Sequence, residues 1–317
     1  MANFLVTGGC GFIGSHLVDN LVAEGHTVRI LDDLSTGRRE NISSTCEIVV
    51  GNVVNHKQVK DCMRGMDGVF HLAATSSVQE SNDHWLSTHQ INMTGAINVF
   101  DAARINHTPV VYASSAAVYG DNADIPLKEI SISSPLTAYG SDKLGTELHA
   151  RVASLVHGVP TAGMRLFNVY GPRQDPLSSY SGVISVFADR ILHKKNITIF
   201  GDGEQTRDFV YVKDAVQFLR AGMNKIDCNA AVFNVCTNKS ISLNQLAKML
   251  MTITGHQVAL LYEPHRIGDI RVSIGDSSFS KKMLGLSAEQ TLMKGMQSLI
   301  KYLIDKKADD EQSVIAC

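Results

Sequence analysis

The chain has 317 residues, enough for one large or two medium domains with a substantial buried core. Its 29 Lys and Arg residues nearly balance 31 Asp and Glu residues, and the lack of a basic tract argues against nucleic acid as the main partner. The six cysteines are scattered without a C-x-x-C pair and no apolar run reaches about 18 residues, so the composition predicts a cytoplasmic protein without structural zinc, a disulfide framework or a membrane span.

A strand, a glycine-rich turn and a helix are predicted first. Asn3–Thr7 is a short apolar run, 8–14 has the spacing G-x-x-G-x-x-G, and 15–24 is amphipathic. Because the first strand starts so close to Met1, we expect no signal peptide. Glycines permit a tight turn and let the backbone approach a pyrophosphate at the helix N-terminus, although three glycines alone are equally compatible with a flexible turn. The candidate cofactor contacts in this turn are Gly8, Gly11, Phe12 and Ile13.

The second predicted strand, 27–31, ends in a pair of acidic residues. Asp32 lies eighteen residues after Gly14, close to the distance of about 20 residues at which a dinucleotide fold binds the adenosine ribose. Its negative charge would repel a ribose 2′-phosphate and therefore favours NAD over NADP, an inference that Arg38 and Arg39 in the following loop weaken. The alternative is that Asp32 is a simple turn residue at the end of a strand.

Strand-like and helix-like segments alternate through the first half of the chain. Further strands are predicted at 47–50, 68–74 and 109–115, and helices at 55–65, at 84–106 and in the segment that carries Tyr139 and Lys143. Such alternation is typical of right-handed βαβ units, and it predicts an α/β fold with a Rossmann-type doubly wound parallel sheet. Ligands of these sheets bind beyond the carboxyl ends of the strands. The candidate site residues at such ends are Asp32, Ala73, Ala74 and Ser115.

From about residue 167 the pattern loosens into shorter elements. We expect strands at 197–200 and 258–262 and helices at 242–254 and 288–304, forming a smaller α/β substrate-binding domain that covers the nucleotide crevice. Two further strands, 208–212 and 231–235, are predicted to return to the first sheet. The predicted division is an NAD-binding domain, 1–166 with returning segments at about 207–238, a nucleotide-sugar-binding domain, 167–206 and 239–306, and a frayed tail, 307–317.

Tyr139 and Lys143 are four residues apart, which places them on one face of a helix. A tyrosine titrates near pH ~10, and a fixed positive charge nearby favours the phenolate and lowers its pKa. The pair is therefore a candidate general base. The spacing Y-x-x-x-K is common by chance, but here it follows the fifth strand, whose end carries Ser115.

Six short motifs follow one another along the chain. They are T-G-G-C-G-F-I-G-S-H (7–16), H-L-A-A (71–74), S-S-A-A-V-Y-G (114–120), Y-G-S-D-K (139–143), R-L-F-N-V-Y-G-P (165–172) and R-D-F-V-Y-V-K-D (207–214). In these motifs the chain resembles the extended short-chain dehydrogenase/reductases, and among them the UDP-hexose 4-epimerases. The resemblance extends from residue 3 to about residue 280.

This resemblance implies a chemistry for the candidate residues. Tyr139, with its pKa lowered by Lys143 and by the charge of the nicotinamide, would remove the proton from the sugar 4-hydroxyl, and Ser115 would hydrogen-bond the same oxygen. The sugar would pass a hydride from C4 to NAD, turn over as a 4-keto intermediate and take the hydride back on its other face. NAD is regenerated in each cycle, so we expect it to stay bound.

Related activities of the family differ just after the fifth strand. Sugar-nucleotide 4,6-dehydratases carry an Asp-Glu pair there, and decarboxylating relatives carry a Glu before the V-Y-G, whereas this chain has Ala116 and Ala117. Alanine exchanges no proton, which leaves epimerisation. Two alternatives stay open: an epimerase, reductase or other oxidoreductase acting on another nucleotide sugar, such as a GDP- or dTDP-sugar, and a non-catalytic NAD-binding regulator, although such regulators typically lose the Tyr or the Lys.

For the nucleotide sugar, the resemblance implies contacts from the second half of the chain. Arg207 and Arg266 would clamp the diphosphate with their guanidinium groups. Asn168 would contact the diphosphate or the sugar, and Asp269 the uridine ribose. Ser273 falls where a bulky aromatic side chain restricts epimerases to plain glucose and galactose. A serine leaves room for an N-acetyl group, so UDP-N-acetylglucosamine and UDP-N-acetylgalactosamine are the first expected substrates, ahead of UDP-glucose and UDP-galactose.

The chain departs from the family pattern at two places near the cofactor. Asn52 and Val53 stand where the family usually has an Asp that contacts adenine, followed by a hydrophobic residue. The Asn52 amide offers a donor and an acceptor in place of the carboxylate. Thr75 and Ser76 occupy a stretch where some epimerases place a lysine.

The family commonly dimerises by packing two long helices from each subunit into a bundle, so the resemblance implies a homodimer. In this chain these helices would be about 84–106 and 138–156. Their apolar residues are equally compatible with packing against the subunit's own sheet. They include Ile91, Ile97, Val99, Leu144, Leu148 and Val152.

Overall fold

The computed structural model describes residues 1–43, 45–176, 178, 182–265 and 269–315, with side chains described up to residue 308. The strands are, in chain order, β1 Asn3–Thr7, β2 Thr27–Asp32, β3 Glu47–Val50, β4 Gly68–His71, β5 Val110–Ser115, β6 Thr161–Leu166, β7 Asn168–Tyr170, β8 Ile197–Phe200, β9 Thr206–Tyr211, β10 Ala231–Val235, β11 Ser240–Ser242, β12 Leu260–Glu263 and β13 Val272–Ser273. The α-helices are α1 Phe12–Ala23, α2 His56–Met63, α3 Val78–Asp83, α4 Trp85–His89, α5 Gly95–Ala103, α6 Ala138–His157, α7 Val183–Leu192, α8 Val212–Lys225, α9 Leu243–Thr254, α10 Ser278–Leu284 and α11 Leu292–Ile315.

Seven parallel strands form the large sheet, in the order β10-β6-β5-β4-β1-β2-β3. Alternate residues of a strand point to opposite faces of the sheet. Val6 and Val111 join one hydrophobic cluster with α1 and α8, while Leu5 and Val110 join another with α5 and α6. Because helices cover both faces, the strands are buried on two sides, which explains their apolar runs. The predicted Rossmann-type doubly wound sheet is confirmed.

A smaller α/β region packs beside this sheet. Its strands form a four-stranded sheet of β7, β9, β11 and β13 and a parallel pair of β8 and β12. It has its own hydrophobic cluster, to which Ile184 of α7, Leu246 of α9 and Leu299 of α11 contribute. The second, smaller α/β unit predicted from the sequence is thus present.

Only one of the two segments predicted to return to the large sheet does so. The prediction is wrong for 208–212, because β9 pairs with β7, β11 and β13 in the smaller region. It is right for 231–235, because β10 pairs in parallel with β6. The free edge of β6 accommodates one neighbouring strand, and β10 occupies it.

The long helix predicted at 84–106 is interrupted. A π-helical turn, Gln90–Thr94, separates α4 from α5. Within this turn, Asn92 Oδ1 accepts a hydrogen bond from the Thr75 amide at 2.8 Å, and Asn92 Nδ2 donates to the Thr75 carbonyl oxygen at 3.1 Å. The turn therefore holds the loop that follows β4, and π-helical turns recur at functional sites.

The last helix extends further than predicted. The sequence predicts a helix at 288–304 and a frayed tail at 307–317, whereas the backbone of α11 stays helical as far as Ile315. The helical backbone thus continues into the predicted tail, and the fraying of this end stays a prediction. No Gly or Pro follows Gly295 in this stretch of the sequence, so no residue of low helix propensity stops the helix.

Within the described part of the chain, none of the helices is both long and apolar enough to cross a bilayer. The same residues contain no group of three or more His, Cys, Asp and Glu side chains that could hold a metal ion.

Candidate active site

A cleft of about 920 Å³ crosses the carboxyl ends of the large sheet. It includes the ends of β1 and β4, between which the strand order reverses, and such switch points are where doubly wound sheets bind ligands. The smaller region forms the opposite wall. Asp269 does not line the cleft, and Arg266 lies outside the described residues. The predicted site residues that do line it are Gly8, Gly11, Phe12, Ile13, Asp32, Asn52, Val53, Ala73, Ala74, Ser115, Tyr139, Lys143, Asn168, Arg207 and Ser273.

The glycine turn between β1 and α1 brings backbone segments into close contact. Gly8 has a φ of +70°, and a Cβ atom there would lie 2.7 Å from the Ala73 amide nitrogen. A Cβ atom on Gly14 would lie 2.1 Å from the Gly8 carbonyl oxygen. Gly11 caps α1 without a side-chain hydrogen bond, so the amides of the first helical turn are available to an anion.

Arg173, which no sequence pattern identified, also lines the cleft. Its Nη2 atom is 2.7 Å from Asp19 Oδ2 in α1, whereas its Nη1 atom is buried with no hydrogen-bond partner among the described residues. A buried guanidinium nitrogen without an acceptor is costly, and a diphosphate near the start of α1 would supply the acceptor. The residues present therefore fit a dinucleotide. The one sequence signal was the position of Arg173, directly after the motif at 165–172.

Asp32 is buried at the end of β2. Its Oδ2 atom accepts a hydrogen bond from the Cys10 amide at 2.9 Å, and its Oδ1 atom accepts one from the Leu34 amide at 2.9 Å. Burial raises the pKa of Asp32, while these two hydrogen bonds lower it. The carboxylate thus joins the glycine turn to the loop after β2 and lies at the position where a ribose would bind.

One of the two arginines that weakened the inference of NAD over NADP, Arg38, has a partner of its own. Arg38 forms an ion pair with Asp175 in the loop after β7, and the hydrogen bond to Asp175 raises the pKa of Arg38. Because this charge is already matched, Arg38 is less available to a ribose 2′-phosphate. The pairing removes the objection to NAD that came from Arg38, while the one from Arg39 stands.

The nitrogen and the oxygen of the Asn52 side-chain amide both form hydrogen bonds within the protein. Its Nδ2 atom donates to Asp33 Oδ2 at 2.9 Å, and its Oδ1 atom accepts from the Val54 amide at 2.9 Å. An amide retains a second hydrogen and a second lone pair after such bonds, so adenine could still be bound. Val53 is buried and packs against Gly95, where a Cβ atom would lie 2.6 Å from Val53 Cγ2.

β5 and α6 bring Ser115, Tyr139 and Lys143 together. The Ser115 hydroxyl lies close enough to the Tyr139 hydroxyl to lower the pKa of that phenol, and Ser115 Oγ accepts a hydrogen bond from the Ala117 amide at 3.1 Å. Lys143 is buried, donates to the Ala113 carbonyl oxygen at 2.9 Å and has its Nζ atom 5.7 Å from the centre of the Tyr139 ring. A hydroxyl, a phenol and an ammonium therefore share one corner of the cleft.

The electrostatics of this group differ from the prediction. Burial raises the pKa of Tyr139, and the hydrogen bond from Ser115 offsets this only in part. Burial also lowers the pKa of Lys143 to about 8, against the opposing charge of Asp142. The predicted lowering of the Tyr139 pKa by Lys143 is therefore wrong for the polypeptide itself, because desolvation of the phenol has the larger effect.

On the opposite wall, Arg207 and Ser273 are neighbours across the paired strands β9 and β13. Arg207 forms an ion pair with Asp269; burial lowers the pKa of Arg207, and Asp269 raises it. Asn168 Nδ2 donates to the Asp208 carbonyl oxygen at 2.9 Å. Asp269 thus acts as the partner of Arg207, while Arg207, Ser273 and Asn168 face the cleft.

Comparison with known proteins identifies the family. The sequence matches the model of the NAD dependent epimerase/dehydratase family over residues 4–236. The chain belongs to this family. It is 34% identical over 302 residues to a protein of Methanocaldococcus jannaschii named as a putative UDP-glucose 4-epimerase, with 94% of this chain and 97% of that protein covered.

Two solved structures of this family superpose closely on the chain. The UDP-glucose 4-epimerase of Thermotoga maritima with UDP-glucose gives a TM-score of 0.93 at 34% identity, covering 96% of this chain and 99% of that one. The UDP-N-acetylglucosamine 4-epimerase of Methanobrevibacter ruminantium M1 with UDP-N-acetylmuramic acid gives a TM-score of 0.91 at 33% identity, covering 96% and 99%. The predicted resemblance to the UDP-hexose 4-epimerases is confirmed, and NAD is the cofactor.

The close approach at Gly8 predicts a loss of cofactor in Gly8→Ala. Gly25 is the matched control, because its φ of +81° strains an alanine equally but its Cβ atom would meet no heavy atom within 4 Å. Each alanine should cost about 1–2 kcal/mol of stability through its positive φ. Only Gly8→Ala should also displace Ala73 and lower the NAD content of the purified protein. Equal NAD contents in the two variants, measured after denaturation, would contradict this account of the turn.

Proposed function

We propose that this chain catalyses the NAD-dependent, reversible C4 epimerisation of a UDP-hexose through a 4-keto intermediate. The observation that carries this proposal is the group of Ser115, Tyr139 and Lys143 in one cleft with Arg207 on the opposite wall. The names of the three relatives reported above support it, because each is a UDP-glucose or UDP-N-acetylglucosamine 4-epimerase, one of them putative.

In this reaction Tyr139 would take the proton of the sugar 4-hydroxyl and return it when the hydroxyl forms again. The Ser115 and Tyr139 side chains lie close together in the cleft, so both hydroxyl groups would reach the same sugar oxygen. Lys143, with its Nζ atom 5.7 Å from the centre of the Tyr139 ring, would stabilise the phenolate by its positive charge. With a pKa of about 8, Lys143 stays largely protonated at neutral pH.

NAD, when bound, supplies the acceptor for the hydride of sugar C4 and returns that hydride to the keto-sugar. The protein would hold the dinucleotide along the carboxyl ends of the sheet. It would also keep the cofactor and the sugar correctly positioned relative to each other. The residues that would hold it are Gly8, Gly11, Phe12, Ile13, Asp32, Asn52, Val53, Ala73, Ala74, Tyr139, Lys143 and Arg173.

The turn after β5 argues against the related eliminations. Ala116 and Ala117 line the cleft directly after Ser115, and neither side chain exchanges a proton. A dehydratase or a decarboxylase requires an acid–base carboxylate at this place, as the family resemblance implies. Epimerisation needs only the hydroxyl, phenol and ammonium that are present.

For the nucleotide sugar, Arg207 would bind the diphosphate and Asn168 the diphosphate or the sugar. The contact of Asp269 with the uridine ribose stays a prediction, since Asp269 is paired with Arg207 and is not among the described residues that line the cleft. Arg266 keeps its predicted role at the diphosphate, outside the described residues. Guanidinium groups match phosphate oxygens in geometry and charge. This supports a nucleoside diphosphate as the part of the substrate that the arginines bind.

Ser273 supports a preference for N-acetylated sugars. It is small, buried and in contact with the cleft, so it leaves room for the N-acetyl group and offers a hydroxyl to it. We therefore propose UDP-N-acetylglucosamine and UDP-N-acetylgalactosamine as the main substrate pair, with UDP-glucose and UDP-galactose as slower substrates. The neighbour that is named a UDP-N-acetylglucosamine 4-epimerase supports this choice.

Exposed apolar side chains on α4 and α6 support the proposed homodimer. Leu148 and Val152 in α6 are 59% and 45% exposed, and Trp85 and Leu86 in α4 are exposed as well. Large apolar side chains exposed on helices that pack against each other are compatible with a protein interface. Of the apolar residues predicted for the bundle, the structure exposes Ile97, Leu148 and Val152 and packs Ile91, Val99 and Leu144 wholly or partly within the subunit.

We retain the predicted division of the chain as a proposal, with one change at the returning segment. Residues 1–166 with α8 and β10 would form the NAD-binding domain, and 167–206 with 239–306 the nucleotide-sugar-binding domain. The proposed location is the cytoplasm, which fits the free thiols of the five described cysteines.

The purified protein should form the galacto epimers of UDP-N-acetylglucosamine and UDP-glucose without added cofactor, as followed by anomeric proton NMR. Tyr139→Phe should lower kcat at least about 100-fold, because the base is lost, and should keep its NAD content and thermal stability. Tyr262→Phe, a change at a phenol that is 53% exposed, is the control and should keep the parent rate. A parent rate in Tyr139→Phe would contradict the mechanism, and no product from either sugar, even with NAD added, would contradict the function.

Ser273→Tyr should separate the two kinds of substrate. A phenol at this position fills the space for the 2-substituent, so the rate with UDP-N-acetylglucosamine should fall about tenfold or more relative to the rate with UDP-glucose. Ser240→Tyr changes an exposed serine in β11 and should leave this ratio unchanged. An unchanged ratio in Ser273→Tyr would remove Ser273 from substrate selection.

Sedimentation should show a species of about twice the 34.4 kDa mass of the chain. Leu148→Asp should give monomers, because a charge cannot be buried without a partner at the proposed interface. Leu261→Asp, at a leucine that is 46% exposed on β12, should leave the dimer intact. A parent protein that sediments as a monomer would refute the proposed bundle.

A further inference from the structure

The loop after β7, residues 172–175, reaches from the smaller region to the first helix of the large-sheet region. The Pro172 carbonyl oxygen accepts a hydrogen bond from His16 Nε2 in α1 at 2.9 Å. The next residue, Arg173, has its Nη2 atom 2.7 Å from Asp19 Oδ2 in the same helix. Because His16 and Asp19 are three residues apart, they lie on one face of α1. The 172–175 loop therefore packs along that face.

The same loop is also held on the smaller region, through Gln174. Its Oε1 atom accepts a hydrogen bond from the Ser185 hydroxyl in α7 at 2.6 Å, and its Nε2 atom donates to the Val169 carbonyl oxygen at 3.4 Å. Arg173 and Asp175 contact the large-sheet region, while Gln174 between them contacts the smaller one. The 172–175 loop thus connects the two walls of the cleft.

This connection ends in an ion pair at the adenosine end of the cleft. Asp175 pairs with Arg38, whose amide donates to the Cys10 carbonyl oxygen at 3.0 Å. The Cys10 amide in turn donates to Asp32 Oδ2 at 2.9 Å, at the position where the ribose would bind. Arg38 and Asp175 both line the cleft, and their side chains are 44% and 30% exposed. The pair therefore joins the two walls at the solvent-facing rim of the cleft.

We propose that the ion pair between Arg38 and Asp175 closes the cleft over NAD and slows the release of the cofactor. NAD bound with its ribose at Asp32 would lie between the two walls that this pair connects. The connection has to open before the dinucleotide leaves at this end. An epimerase that regenerates its NAD in each cycle benefits from holding it, and to that extent the inference rests on the proposed function.

The direction of the effect in Asp175→Asn distinguishes this role from a direct contact between Arg38 and the phosphates of NAD. If the pair closes the cleft, removing the charge of Asp175 opens the connection and speeds the release of NAD. If Arg38 bound the phosphates instead, freeing it from Asp175 would strengthen that contact and slow the release.

The test is the rate at which the holoprotein loses NAD. Protein loaded with radiolabelled NAD is mixed with an excess of unlabelled NAD, and the label that stays with the protein is followed by gel filtration. Asp175→Asn and Arg38→Gln should each raise the release rate about two- to fivefold, the size expected for the loss of one exposed ion pair. The double variant should release NAD no faster than the faster single variant, because both changes remove the same contact.

An unchanged or slower release in Asp175→Asn would overturn the proposal, and so would independent effects that multiply in the double variant. The matched control is the ion pair between Arg220 in α8 and Glu24 after α1, whose side chains are 22% and 35% exposed. Neither residue is among the described residues that line the cleft. Arg220→Gln and Glu24→Gln should keep the parent release rate. Equally fast release in these controls would attribute the effect to a general loosening and overturn the proposal.

This measurement needs no sugar, which separates the inference from the proposed function. A parent protein that holds NAD but forms no epimer of either UDP-sugar would refute the proposed function. The release rates would still decide whether the pair of Arg38 and Asp175 retains the cofactor. Conversely, an active epimerase whose NAD release does not respond to Asp175→Asn would keep the function and lose this role of the pair.

Discussion

The buried ion pair between Arg165 and Glu147 fixes the active-site corner. Arg165 Nε donates to Glu147 Oε1 at 2.9 Å and Arg165 Nη2 to Glu147 Oε2 at 2.7 Å, and both side chains are 7% exposed. Glu147 also accepts from the Ser114 hydroxyl. The helix that carries Tyr139 and the strand that ends in Ser115 are thus bound to one charge pair. Burial opposes the charge of Arg165, but the hydrogen bonds to Glu147 raise the pKa of Arg165. Removing either partner from such a buried pair lowers the stability of a protein by about 3–5 kcal/mol.

The same arginine extends the network to the edge of the sheet. Arg165 Nη1 donates to the Tyr119 hydroxyl at 2.9 Å, and that hydroxyl donates to Asn234 Oδ1 in β10 at 2.6 Å. Asn234 Nδ2 in turn donates to the Leu127 carbonyl oxygen at 2.9 Å. The turn after β5, the returning strand and the loop before α6 are therefore held together from beneath the cleft. Catalytic side chains must be positioned to within tenths of an ångström and therefore need a rigid support. Here that support comes from buried polar atoms that are hydrogen-bonded to one another.

Local patterns predicted the large sheet because its strands are short apolar runs buried on both faces. β1 occupies the predicted residues, and β5 begins one residue later than predicted. Local patterns could not resolve competition between distant segments, since 208–212 and 231–235 are alike in composition and only pairing with β6 distinguishes them. The π-helical turn depends in the same way on the bonds between Asn92 and Thr75, which join residues far apart in the sequence.

Motif positions also predicted which side chains meet, because parallel strands bring their carboxyl ends to one edge. Arg173 was missed, since its importance lies in a nitrogen that packing leaves without a partner. The pKa of Tyr139 was predicted in the wrong direction, since spacing reveals the nearby lysine but not the burial that outweighs it. The polypeptide alone therefore keeps Tyr139 protonated. In the proposed reaction the positive charge of bound NAD would add to that of Lys143 and lower the pKa of the phenol, so the phenolate would be more populated in molecules that hold the cofactor.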